Sequence, residues 1–144
     1  MATPKVQDVL AQAFQAEGCD TLSTLMGDAN MYWSEAMSRL PGMKVIHARH
    51  EHCAVAMADG YARATGKVGV ASTTCGPGFT QIMTALAIAA RASVPLVVFA
   101  GDSPISAPFY LQQIDMAPLA TATGAGYIAV KTVDRALDCV REAF

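Results

Sequence analysis

The chain has 144 residues, a net charge of -2, 53% hydrophobic and 15% charged residues. That length fits one domain with a proper core, not two. No basic cluster is present, so nucleic acid is not expected as a partner, because backbone binding needs concentrated Lys and Arg. Ala supplies much of the apolar content, which suits helices packed tightly on a sheet or a domain that buries surface against others. Cys19, Cys53, Cys75 and Cys139 form no CxxC pair and read as free thiols of a reducing, cytoplasmic compartment. The sequence opens with neither an apolar nor an Arg-rich leader. Its longest apolar stretch, Ile82 to Gly101, is broken by Arg91, Ser93 and Pro95. It reads as helix, turn and strand, so no membrane span of about 20 apolar residues is expected.

In chain order, Pro4 to Glu17 reads as an amphipathic helix. Thr3 can cap it, Pro4 suits its first turn, and Val6, Val9, Leu10, Ala13 and Phe14 share one face. Gly18 stops it. Cys19 to Met26 reads as a strand. Gly27-Asp28-Ala29-Asn30 is a turn able to cap a helix over Met31 to Leu40, which Pro41-Gly42 closes. Met43 to His47 is a second strand. It runs into a polar knot, His47 to His52, and then a helix of small residues to Thr65 with Gly66 as its stop. Lys67 to Thr73 reads as a buried parallel strand. Thr74-Cys75-Gly76-Pro77-Gly78 is a tight loop before a helix, Phe79 to Arg91, that is apolar nearly all round. Pro95 to Ala100 is a further buried strand. Gly101 to Pro118 reads as a long loop with no more than a helical turn, and Tyr127 to Val130 as a last short strand. Thr132 caps a final helix to Phe144, with Val133, Leu137, Val140 and Phe144 on one face. Strands alternate with helices, which predicts a three-layer α/β fold: an open, mainly parallel sheet with helices on both faces. The final helix carries no stop signal, which reads as a chain cut at a domain edge.

Four constellations could carry chemistry. His47, His50, His52 and Cys53 are all zinc-binding types within seven residues. However, positions 50, 52 and 53 do not share a helical face, and no second ligand cluster exists, so solvated polar residues at a strand end are the plainer reading. Gly76-Pro77-Gly78 before a helix offers free N–H groups to a ligand. It is neither GxGxxG nor a P-loop, and a tight strand-to-helix turn explains it equally well. Cys75 sits where a helix N-terminus lowers a thiol pKa, yet nothing places a histidine beside it. Glu51 stands where a strand ends and a helix begins, the place where open α/β sheets bind ligands. A lone Glu there is either an acid/base group or a favourable partner of the helix dipole.

The run RHEHCAVAMADGYARATGKVGVASTTCGPGFTQ, from Arg49 to Gln81, and the later ALAIAARASVPLVVFAGDSP change this balance. They closely resemble the N-terminal pyrimidine-binding domain of thiamine-diphosphate enzymes, and acetolactate synthase most of all. The resemblance covers essentially all of residues 1–144 and implies the thiamine-diphosphate-binding fold. It implies that Glu51 hydrogen-bonds N1′ of the cofactor's aminopyrimidine and so activates the cofactor to its ylid. Thr74, Gly76, Pro77 and Gly78 match a family loop beside the pyrimidine. Gly27 falls near a glycine turn by the same ring, Gln81 stands where acetolactate synthases usually carry Asn, and Gln112 matches a glutamine facing the substrate. The family holds the diphosphate through Mg²⁺ with a GDG…N motif on a separate domain. Here Gly27-Asp28 and Gly101-Asp102 are the only GD pairs, and neither is followed by Gly.

The implied protein is a 2-oxoacid decarboxylase or carboligase, homodimeric or homotetrameric. A diphosphate-binding domain of the same or another chain completes its site, and the isolated chain is inactive. FAD in a further domain is left open. Three alternatives stand beside this reading: a natural small subunit of a split decarboxylase, a non-catalytic assembly or regulatory domain of the same fold, and a metal module built on the histidine knot.

Overall fold

Helix α1, Val6–Ala16, buries Leu10, Ala11 and Phe14 and ends where Gly18 turns to φ +94°. The structure is a computed structural model and describes residues 5–107 and 109–144, so the expected roles of Thr3 and Pro4 lie outside the described residues. Strand β1, Thr21–Thr24, is followed by α2, Met31–Ser38, then β2, Lys44–His47, and α3, Glu51–Thr65. Gly66 ends α3 in the left-handed conformation, as its sequence position implied. Strand β3, Gly69–Thr73, is buried at every residue, as a central parallel strand must be. Next come α4, Pro77–Thr80, α5, Met83–Arg91, and strand β4, Leu96–Ala100. Helix α6, Met116–Ala122, a 3-10 turn, Val133–Arg135, and α7, Ala136–Ala143, complete the chain.

The sheet order is β2-β1-β3-β4, and every pairing is parallel. Helices cover both faces. On one side α1, α2 and α7 pack Leu10, Phe14, Trp33, Met37 and Val140 against Leu22, Val70 and Val97. Phe14 is the hub there, edge-on to Trp33, Phe99 and Phe144 with ring centroids 4.9, 5.9 and 5.4 Å away. On the other side α3, α4, α5 and α6 pack Val55, Ala58, Phe79, Ile82, Leu86 and Met116 against Ala71. The three-layer α/β architecture expected from the alternation of elements is the one observed. Among the described residues no helix is long and apolar enough to cross a membrane.

The structure departs from several local expectations. The helix expected over Phe79 to Arg91 is two pieces, because Ile82 N–H bonds Phe79 O, one residue short of α-helical register. Nor is it covered all round: Ile88 is 54% exposed. The long loop after β4 gives way to α6 at Met116, where the Asp115 side chain accepts from Ala117 N–H as a cap. Thr132 stands at a cap position but makes no side-chain cap bond. Tyr127 to Val130 is not a strand. It lies exposed across a groove of about 820 Å³ from β4 and has no ladder partner among the described residues. Local β-propensity does not make a strand without a partner edge in register.

At the opposite end of the sheet from the loops that follow the strands, Asp20 joins β1, α3 and β3. Lys67 Nζ donates to it at 2.6 Å, Tyr61 Oη at 2.6 Å and Thr21 Oγ1 at 2.9 Å. These donors, Lys67 first, hold its carboxyl down at about 2. An unfolded Asp titrates near about 3.9. The folded state therefore favours the carboxylate. Its stabilising contribution is complete above about pH 4 and is lost as pH falls toward the folded value. Thermal melts from neutral pH into this acid range test the link: Asp20→Asn is expected to flatten the acid dependence, and an unchanged acid slope would refute it.

Candidate functional site

The order β2-β1-β3-β4 puts a switch point between β1 and β3. From β1 the chain moves outward to β2, and from β2 it returns past β1 to β3. The segments that follow β1 and β3 diverge there, and the carboxyl ends of the strands at such a point are where open α/β sheets bind ligands. The strand ends align there, with Thr24 opposite His47 and Ser72, and Thr73 opposite Ala100. Each expected site residue follows one of these ends.

Glu51 is the first residue of α3 and is half-buried. His50 precedes it in extended conformation and caps the helix, its Nδ1 accepting from His52 N–H at 3.2 Å. A ring nitrogen thus does the work usually given to a Ser or Asp side chain. This accounts for one histidine of the polar knot without a ligand. Among the described residues, no three His, Cys, Asp or Glu side chains come together in a way that could hold a metal ion.

The glycine loop comes close to Glu51. A Cβ built on Gly78 would lie 3.5 Å from Glu51 Oε1 and 2.7 Å from Thr74 Cγ2. A Cβ on Gly27, from the turn after β1, would lie 2.7 Å from Thr74 Cβ. The Gly27 turn, the Thr74–Gly78 loop and the start of α3 therefore lie close together, with Thr74 between the two glycines. Thr74 Oγ1 also accepts from Ala29 N–H at 3.3 Å. Gly76 has φ +53°, and a Cβ there would fall 1.8 Å from the Gln112 carbonyl oxygen, so no other residue fits. Gln112 is thereby held on the glycine loop through its backbone, and its Oε1 accepts from Cys75 Sγ at 3.5 Å. Pro77 opens α4 at its first position. Gln81 lies at the far end of α4 and is exposed.

Cys75 is buried at 1% exposure, and burial pushes its thiol up, with the carboxylates of Asp102 and Asp28 adding to the effect. The helix start beside it does not offset the loss of water, so a reactive thiolate is disfavoured. The 820 Å³ groove touches Ala29, Gly101 and Asp102 but not Glu51, Gly76 or Gly78. The groove follows the edge of β4 that is unpaired among the described residues.

Two contacts escaped the sequence reading. Gly101 closes β4 against the turn after β1: a Cβ there would meet Ala29 O at 2.2 Å. A glycine directly after a strand was the available signal for that close approach. The turn Gly27 to Asn30 was expected to be able to cap α2; Asn30 stands at the cap position, but its side chain makes no cap bond and turns back into the sheet. An Asn three residues after a turn glycine signals a side-chain-to-backbone bond without saying in which direction it runs.

Residues 4–119 match the family described as "Thiamine pyrophosphate enzyme, N-terminal TPP binding domain". The chain is 33% identical over 139 residues to the acetolactate synthase large subunit of Haemophilus influenzae, covering 95% of this chain and 24% of that protein. It is 35% identical over 139 residues to the acetolactate synthase isozyme 2 large subunit of Escherichia coli, covering 94% and 25%. Among solved structures, the thiamine diphosphate-dependent 4-hydroxybenzoylformate decarboxylase of Rhodococcus jostii RHA1 shares the fold. Its TM-score is 0.87 at 22% identity, over 97% of this chain and 27% of that one. The chain thus spans about a quarter of the length of these proteins.

Proposed function

The chain belongs to the thiamine pyrophosphate enzyme family as its N-terminal TPP-binding domain, and on that premise we propose that it forms the pyrimidine half of the active site of a 2-oxoacid decarboxylase or carboligase resembling acetolactate synthase. Glu51 is its catalytic carboxylate. The observation that carries this reading is the convergence of Glu51, Thr74 and Gly78 at the switch point.

The residues fit an aminopyrimidine by their chemistry. A half-buried carboxylate accepts a hydrogen bond from a ring nitrogen and favours a proton on it. A hydrogen bond to a charged group of this kind is worth roughly 1.5–3 kcal/mol. Gly27 and Gly78 let the turn and the loop close on Thr74, and Gly76 seats the Gln112 backbone, so the segments that would border the ring are held together. Bound thiamine diphosphate supplies the carbanion chemistry that cleaves a bond next to a carbonyl. The task of this chain is to hold the proton at the ring nitrogen with Glu51 and to orient the ring with Thr74, Gly76, Pro77 and Gly78. Gln81 flanks the ring site, and Gln112, seated on Gly76, faces the substrate.

The diphosphate end and Mg²⁺ fall to a diphosphate-binding domain, supplied by the same or another chain in a homodimer or homotetramer. The isolated chain is accordingly inactive. Its half-site can still be probed with thiamine. In amide-resolved NMR of the 144-residue chain, millimolar thiamine is expected to move the signals of Gly27, Thr74 and Gly78. Glu51→Gln is expected to remove most of that response. A wild-type chain whose spectrum ignores thiamine would sink the reading.

A further inference from the structure

Asn30 is 1% exposed, and its side-chain amide is fully engaged. Nδ2 donates to Ser72 Oγ on β3 at 2.8 Å and to the Leu25 carbonyl at 3.2 Å, with Thr24 Oγ1 a longer third acceptor at 3.4 Å. Oδ1 accepts from Gly27 N–H at 2.8 Å. The partners fix which end of the amide is which, since Gly27 N–H can only donate and the Leu25 carbonyl can only accept. The backbone repeats the tie, because Asn30 N–H and Met31 N–H both donate to Gly27 O at 3.2 and 3.0 Å. One side chain therefore joins the turn after β1 to the strand that leads into the glycine loop. Asp in its place would lack the donor for Ser72 and Leu25, and Ala would leave Gly27 N–H and Ser72 Oγ without this partner.

We infer that Asn30 is a positioning residue that sets the spacing between the Gly27 turn and the Thr74–Gly78 loop across the switch point. None of its side-chain hydrogen bonds reaches Glu51. It acts through Gly27, whose Cα has no room to shift toward Thr74: an added Cβ would already lie 2.7 Å from Thr74 Cβ. A polar clamp suits this task better than apolar packing, because fully satisfied buried hydrogen bonds select one geometry and make alternatives costly. The inference rests on the reading of this switch point as the pyrimidine site.

The test combines two measurements on the 144-residue chain, one of which needs no ligand. In amide hydrogen exchange, Asn30→Ala is expected to speed exchange at Gly27 by about tenfold or more, the scale of one lost hydrogen bond, while Val70 and Ala71 on β3 keep their rates. Ser72→Ala removes only the far tether and leaves the turn sequence intact, so it decides the matter where Asn30→Ala does not fold. It is expected to change Gly27 in the same direction. Unchanged Gly27 exchange in the folded variants would overturn the clamp.

The second measurement is the thiamine dissociation constant by NMR titration, at a temperature where each variant is folded. A positioning role weakens thiamine binding in both variants by about tenfold, which is about 1.4 kcal/mol. A lower melting temperature with unchanged thiamine affinity would make Asn30 merely structural and overturn the inference. A wild-type chain that ignores thiamine would instead refute the site reading, while the exchange data would still judge the clamp.

Discussion

Joined to a diphosphate-binding domain, the chain carrying Glu51→Gln is expected to turn over 2-oxoacid roughly 10²–10⁴-fold more slowly in kcat/KM, the usual contribution of a positioned acid–base group. Gln keeps the length and shape of Glu at the start of α3, so the cap and the place of the side chain beside Gly78 are kept. What it loses is charge. A carboxylate only accepts, and it stabilises a proton on the atom it faces; an amide can present either its oxygen or its NH₂. The difference between a charged and a neutral hydrogen bond is about 1–2 kcal/mol in the ground state. It grows where charge develops in a site closed to water. Glu51→Asp keeps the charge but withdraws it by one methylene, and an intermediate loss is expected. Steady-state kinetics with saturating cofactor decide the matter. If the Gln variant retains more than about a tenth of wild-type kcat/KM, Glu51 is not the acid–base group.

Gly69→Ala is expected to destabilise the domain by about 3 kcal/mol or more, at the upper end of what overpacking costs. Its added Cβ would fall 2.1 Å from the Ala58 carbonyl oxygen and 2.8 Å from the Ala58 carbonyl carbon. Both are backbone atoms of α3, so no rotamer change relieves the clash. Leu96 Cδ1, at 3.3 Å, blocks movement toward β4. Either α3 lifts from β3 or the strand loses register. For a domain of this size the loss corresponds to a melting temperature lower by roughly 10 °C. Differential scanning calorimetry checks this, and a melting temperature within about 2 °C of wild type would refute it. The effect reaches the site because α3 carries Glu51 about two turns before Ala58. A lifted α3 separates the carboxylate from Gly78, so the variant's thiamine response is expected to weaken as well.

Much of the fold was legible in the residues because its signals are local. Gly18 and Gly66 ended their helices at positive φ where periodicity also ended. Lys67 to Thr73 read as a buried strand, and Gly69 to Thr73 is one, because a run of small and β-branched residues bounded by turns suits a strand covered on both faces. Misreadings came where a second segment had to agree. Tyr127 to Val130 has the composition of a strand but no partner in register among the described residues. Ile82 tightens a helix that hydrophobicity alone would run straight through. The direction of Asn30 depended on Ser72, a residue 42 positions away in sequence.

The sequence by itself determined most of the alternation of strands and helices and the glycine stops of α1 and α3, and a family resemblance along it singled out Glu51, Thr74, Gly76 and Gly78 as candidates. The alternation and the stops rest on short windows of side-chain chemistry. Only the tertiary structure decided that the strand order reverses between β1 and β3, and therefore that Gly27, Glu51 and Gly78 come close together. Parallel pairing joins residues far apart in the chain, and no local pattern encodes which strand lies beside which. The same holds for Gly69, Gly76 and Gly101, read along the chain as turn or strand glycines. Their need for glycine comes from backbone atoms of Ala58, Gln112 and Ala29, and that steric demand exists only once the layers are packed.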